Sequence, residues 1–525
     1  IIMEKQLFNG SLLNQKTILG HPTGLFVLFF TEMWERFSYY GMRAILVLFL
    51  VSSFIDGGWG WERSEALVLY GWYTGLVYIT PIFGGFIADK YMGYRKAVIL
   101  GAFLMTLGHL AMAFEVTADF FLFIGLSLLI VGNGFFKPNI SSIVGQLYKT
   151  EGKDKDAGYT IFYMGINSGA FLGILLCGYI GENINWHYGF GLAGIFMLLG
   201  GLQFYYSQKI FGKIGLLDTK KIINNDNKEE KKEDVNEKKT DSKVIIDRLI
   251  VIVIFSFSTI FFWWAFEQAG GSMTIFASDY TDRNLIGQGA FIFKVFNSLI
   301  TIIPLIIITY ILYLLYIRTS SSLILSNTFL IISFVIIWII VLWMLVREFE
   351  NNTAKIPASW FGILNSFYII VFAPVLSKIW QSRFNPSGPF KFGIGLILLA
   401  FGFGILSFGS LSIPLGAKTA SVSMFFLIFA YLFHTLGELC VSPVGLSYIS
   451  KLAPKKLIGL MFGVWFLANT IANSAAGFTG SYIDPITEEY GLSIFFLIFT
   501  IIPTFAGIIM LFLNKKIIKM MHGVN

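Results

Sequence analysis

Glu32, Glu35, Arg36 and Arg43 interrupt an apolar run that extends from about Gly24 to Phe54. Such a run is long enough to cross a bilayer, which takes roughly 20 apolar residues. At helical spacing Glu32, Glu35/Arg36, Tyr39/Tyr40 and Arg43 fall close to one face. A charge at mid-membrane costs roughly 3 kcal/mol on insertion scales, so this face must look onto protein or water rather than lipid. Such a stripe in a membrane helix is a functional face by default.

Three more ionisable residues lie deep in apolar runs. Lys137 sits in Gly132-Asn-Gly134-Phe-Phe-Lys137-Pro138-Asn139, too deep to reach a headgroup layer easily, so it should pair with a carboxylate, with Glu32 or Glu35 the obvious candidate. Glu267 follows Trp263-Trp264-Ala-Phe, where partial desolvation would favour a neutral carboxyl. Glu438, four residues after His434, is suited to a substrate ammonium; His434 reads as packing or as a partner of Glu438, and the lone His109 as structural. Asn167 is equally compatible with interhelical hydrogen bonding and with ligand binding, and Tyr78 with packing or a ligand wall. The loop Gly84-Gly85-Phe-Ile-Ala-Asp89-Lys90-Tyr-Met-Gly93-Tyr-Arg95 permits a sharp turn, in which Asp89 is expected to cap or to pair with Arg95 at a gate.

The elements that must position these groups follow from composition. Of 525 residues 56% are hydrophobic and 13% charged, and mean hydropathy is +0.72. Soluble proteins carry about 25% charged residues, so this is an integral membrane protein. The first run is too long for a cleavable signal peptide and is expected to remain as a span. Fourteen spans are expected, six before residue 211 and eight after 244. Lys90/Lys96, Lys149/Lys153/Lys155 and Lys515/Lys516/Lys519 fall on one side, and Asp56/Glu62, Asp279/Asp282 and Asp484/Glu488/Glu489 on the other. This places both termini in the cytoplasm and the protein in the cell's inner membrane. Basic inner loops account for the +7 net charge without a nucleic-acid partner. Cys177 and Cys440 suggest no disulfide framework, and five histidines without a clustered ligand set suggest neither a metal nor an enzyme active site.

The run pair at 290–346 carries only Lys294, near one end. Without it, the charged spans are 1, 4, 7 and 10, the first helix of each of four three-helix units. The fold expected is therefore all-α, with a bundle at 1–210, a polar linker at 211–244, the first helix of a second bundle at 245–289, an inserted pair at 290–347 and five further helices at 348–525.

These stretches resemble the proton-dependent oligopeptide transporter family of the major facilitator superfamily. The resemblance rests on Glu32-x-x-Glu35-Arg36-Phe-x-Tyr39-Tyr40, Gly85-x-x-Ala-Asp89, Lys137-Pro138-Asn139, Phe162-Tyr163-x-x-Ile-Asn167-x-Gly169, Gly437-Glu438 and Gly463-x-Trp465-Phe466. It implies a major facilitator fold and proton-driven uptake of di- and tripeptides by alternating access, with protons as the coupling ion, no cofactor and the monomer as the working unit in the lipid bilayer. Glu32, Glu35, Arg36 and Lys137 would couple protons, with Glu267 the titrating carboxylate of the second half. Arg43, Lys137 and Asn167 would face the peptide carboxylate, Asn365 and Glu438 its amino end, and Tyr40, Tyr78, Trp264 and Trp465 its side chains.

The sequence departs from the family pattern in three places. Ser366 follows Asn365 where proline is common, the inserted pair follows span 7 rather than span 6, and no histidine occurs at 65–89. A carrier of another small solute and a non-transporting nutrient sensor are the alternative readings.

Overall fold

The computed structural model describes residues 8–150, 152–217, 242–382, 385–454 and 457–524. The polar linker expected at 211–244 therefore lies largely outside the described residues. Lipid offers backbone groups no hydrogen bonds, so spanning segments must close their own, and apolar runs here do so as helices. The first six long helices are α1 (Thr23–Val51), α2 (Arg63–Ile87), α3 (Tyr94–Ala113), α4 (Phe120–Gln146), α5 (Lys153–Asn183) and α6 (Trp186–Tyr206). Next come α7 (Ser242–Phe266), α8 (Gly287–Thr319), α9 (Ile324–Glu350) and α10 (Ile363–Gln381). The last four are α11 (Gly388–Gly409), α12 (Phe425–Leu452), α13 (Ile458–Gly480) and α14 (Leu492–Met520). Among the described residues these make the fourteen spans expected from hydropathy. Thirteen are long and apolar enough to cross a membrane, and α1 stands apart because of its four charges. The protein is an all-α, multi-pass membrane protein.

The chain divides into two compact units. The first comprises the described residues of Ile1–Ile45, Thr80–Ile223 and Arg283–Trp360, and the second those of Leu46–Ile79, Asn224–Asp282 and Phe361–Asn525. The inserted pair α8–α9 thus groups with the first unit. The units also divide α1 after Ile45 and α2 after Ile79.

In the first unit α5 lies against α1 through a ladder of glycines. A β-carbon at Gly165, Gly169 or Gly173 would sit 2.9, 2.1 or 2.3 Å from the carbonyls of Phe29, Met33 and Phe37. Without a hydrophobic drive between helices in lipid, this close approach supplies the packing energy. Gly84 and Gly134 bring α2 and α4 together in the same way. The segment before α1 straps the ends of other helices: Asn9 Nδ2 donates to the Gln146 carbonyl at 2.9 Å, Ser11 Oγ to that of Ile210 at 2.9 Å, and His21 Nδ1 lies 2.9 Å from the Tyr148 hydroxyl.

The second unit contains an interrupted helix. After α7, Glu267–Gly270 forms a tighter turn, followed by the short helix Ser272–Ile275. The Gln268 side chain spans this break, donating to the Ala476 carbonyl at 2.8 Å and accepting from Ser272 Oγ at 2.5 Å. Gly71 of α2 meets Gly477 of α13, and Gly393 of α11 meets Gly507 of α14.

Candidate functional site

The charged face of α1 is assembled as an ion cluster. Arg36 Nε donates to Glu32 Oε1 at 2.7 Å and lies 3.0 Å from Glu35 Oε2. All three residues are buried, at 1%, 0% and 4% exposure for Glu32, Glu35 and Arg36. Glu35 Oε1 accepts from Asn133 Nδ2 of α4 at 2.9 Å. One turn further along α4 stands Lys137, whose positive charge acts on Glu35. Two carboxylates and two cations make the cluster neutral when all are ionised. Glu32 Oε2 is buried without a hydrogen-bond donor among the described residues.

The other first-unit residues surround this cluster less tightly. Tyr40 is half-buried, stacks edge-on against Tyr39 at 5.1 Å and acts electrostatically on Arg36. Arg43 is half-buried, two turns beyond Arg36. Asn167 is 7% exposed and donates to the Tyr163 carbonyl of its own helix at 3.0 Å. The Asp89–Arg95 pairing expected in the loop is replaced by two separate contacts. Arg95 Nη1 donates to the Gln208 carbonyl at 3.0 Å and its backbone N–H to that of Gly215, whereas Asp89 is exposed and bonded to the Tyr94 hydroxyl. The cause is Gly93, whose φ of +79° turns the chain between them.

In the second unit Asn365 Nδ2 donates to Glu438 Oε2 at 2.8 Å and to Thr435 Oγ1 at 3.1 Å. Glu267, 3% exposed in the break after α7, acts electrostatically on Glu438. Asn365 is positioned by a change of helix type, since the tight turn Ala358–Gly362 passes into α10 at Ile363. Trp264 Nε1 donates to Thr479 Oγ1 at 2.9 Å, and its ring lies 4.7 Å from Phe499. Trp465 is buried beside Gly445, and Tyr78 is half-buried on α2. His434 is not a partner of Glu438: its ring lies 4.4 Å from Phe403, and both nitrogens are buried without a hydrogen-bond partner among the described residues. His109 is likewise buried and packing.

Sequence reasoning missed two groups. Asn133 lies four residues before Lys137, and that spacing alone puts both on one face of α4. Arg63 is the hub of a cluster within the second unit. Its guanidinium bonds Asp279 at 2.6 Å, Asp484 at 2.7 Å, the Lys418 carbonyl at 3.0 Å and the Tyr280 hydroxyl at 3.1 Å.

The sequence profile of the POT family matches residues 95–229 and 330–498. The chain is 34% identical over 519 residues to the uncharacterized transporter YclF of Bacillus subtilis (strain 168), covering 97% of each chain. It is 31% identical over 522 residues to the di-/tripeptide transporter of Lactococcus lactis subsp. cremoris, covering 97% of this chain and 98% of the other. It is also similar to the crystal structure of the peptide transporter POT in complex with sulfate, with a TM-score of 0.74 at 29% identity and 97% coverage of both chains.

Proposed function

Because the chain belongs to the POT family, whose relatives here are transporters and not enzymes, we propose that it is a proton-coupled symporter importing di- and tripeptides by alternating access. The observation that carries the coupling is the buried Glu32–Arg36–Glu35 cluster, with Lys137 acting on Glu35. A proton on either carboxylate leaves one cation in excess, free to attract a substrate carboxylate. Loss of that proton restores the neutral cluster and releases the substrate. Arg43, Lys137 and Asn167 are assigned to the peptide carboxylate, and Glu438 with Asn365 to its ammonium. Glu438 and Glu267 repel one another when both are ionised, so an ammonium or a proton there relieves the repulsion. Tyr40, Tyr78, Trp264 and Trp465 would meet the variable side chains through apolar surface, which tolerates many sequences.

The same reading places the termini in the cytoplasm, the protein in the inner membrane and the working unit as a monomer. Proteoliposomes loaded with a pH dye test the proposal. Dialanine and trialanine should acidify the lumen in proportion to uptake, while tetraalanine and sugars should not. Peptide uptake without acidification would remove the proton, and acidification by sugars alone would favour another solute.

A further inference from the structure

The inserted pair is built into the first unit as a single cassette. At its neck the strands Asn284–Ile286 and Thr353–Lys355 pair antiparallel, and Arg283 Nη1 donates to the Ile356 carbonyl at 2.8 Å. Glu182, at the end of α5, grips the same neck. Its carboxylate accepts the backbone N–H groups of Ala358 at 2.7 Å and Ser359 at 2.8 Å and the Ser359 hydroxyl at 2.5 Å, and lies 3.6 Å from Arg283. Along its length α9 meets the bundle through aromatic rings: Phe329 stacks on Tyr206 at 5.7 Å, and Trp343 meets Tyr179 at 6.1 Å. Midway, Phe334 packs edge-on against Phe30 at 5.6 Å and Trp34 at 5.7 Å, both on α1.

Phe30, Trp34 and Phe37 recur at helical spacing and form the rear of the helix whose front carries Glu32, Glu35 and Arg36. α6 holds the same rear, with Phe196 stacked on Trp34 at 5.0 Å. Phe334 is 3% exposed, and Phe30 and Trp34 are fully buried. Ile303, Ile307 and Ile339 of the cassette are more than half exposed, as a lipid-facing surface requires. α6 and the cassette thus hold the aromatic rear of the helix whose front carries the charges.

We infer that the inserted pair is a fixed brace for α1 and that Phe334 is a positioning residue for proton binding by the Glu32–Arg36–Glu35 cluster. The inference rests on the proton-coupled reading of that cluster. A ring lost behind Trp34 lets α1 turn or shift toward the vacated space. The front contact to α4, Asn133 Nδ2 to Glu35 Oε1 at 2.9 Å, cannot absorb such a shift unchanged.

The test uses full-length F334A and F334L in proteoliposomes. Gradient-driven uptake of dialanine is measured against pH, alongside dialanine counterflow, which needs no net proton movement. F334A should move the pH midpoint of uptake by about half a unit, roughly threefold in proton affinity, with a smaller shift of the same sign in F334L. Counterflow should change less than uptake does. Carbodiimide labelling of Glu32 and Glu35 against pH, read by mass spectrometry without peptide, should shift in the same direction. Uptake and labelling curves that superimpose on the wild type overturn the inference. If F334A fails to assemble, the F334L curves decide by the same criterion. If the wild type moves no peptide, the transport reading falls while labelling still judges the brace. Finally, a disulfide between F329C and Y206C should leave uptake intact, whereas a cross-link that stops uptake shows that the cassette must detach and the brace is wrong.

Discussion

Replacing Glu35 by glutamine removes one charge from the α1 cluster and almost none of its shape. Glu35 is fully buried, with one oxygen 3.0 Å from Arg36 and the other accepting from Asn133 at 2.9 Å. The glutamine carbonyl can still accept from Asn133, so the loss is mainly electrostatic. Breaking a buried ion pair from one side costs about 3–5 kcal/mol. The cost here is held toward the lower bound because Glu32 still grips Arg36 at 2.7 Å. E35Q should therefore fold while imitating a permanently protonated cluster. One proton crossing ~100 mV contributes about 2.3 kcal/mol, enough for about 40-fold accumulation. Wild-type proteoliposomes under that gradient should approach this ratio, whereas E35Q should only equilibrate dialanine and yet sustain counterflow. The assay is radiolabelled dialanine uptake with and without an imposed potential. Accumulation by E35Q equal to the wild type would refute the coupling argument.

Other substitutions test the packing and ion contacts. G169A places a methyl group 2.1 Å from the Met33 carbonyl and should push α1 from α5, costing about 1–3 kcal/mol in denaturant titration and lowering uptake. R63A leaves Asp279 and Asp484 without their shared cation. Because these side chains are 14–32% exposed, the loss should fall between surface and buried pairs, about 1–2 kcal/mol, with partial recovery in R63A/D279N. Desolvation holds His21 below its ordinary value of 6.5, against a smaller opposing effect of Asp154. The unfolded chain then takes up the proton first, so the stability His21 contributes is present above pH 6.5 and lost as pH falls below it. Thermal unfolding in detergent between pH 7.5 and 5.5 should show this fall, and H21Q should flatten it.

The span count was legible because apolar runs of this length have one stable solution in lipid. Glu32, Glu35 and Arg36 were legible as a cluster because helical periodicity alone brings them to one face. The sequence also required a carboxylate near Lys137 but could not choose between Glu32 and Glu35. The approach of α4 to this face, which Asn133 records by its bond to Glu35, came only with the tertiary structure. Asn365 and Glu438 lie 73 residues apart in the chain, and no local pattern joins them.

Asp89 was expected to cap or to pair with Arg95, and the pairing is not made among the described residues. Sequence proximity suggested it, but the turn at Gly93 gave each residue a nearer partner. Composition and spacing thus determined a helical membrane protein with an ion-bearing first span, since a charge facing lipid is costly wherever it falls in the chain. Which oxygen meets which cation, and what stands behind α1, was decided by tertiary structure. Those contacts depend on helix approach over a few ångströms, set by glycine ladders and rings from distant parts of the chain.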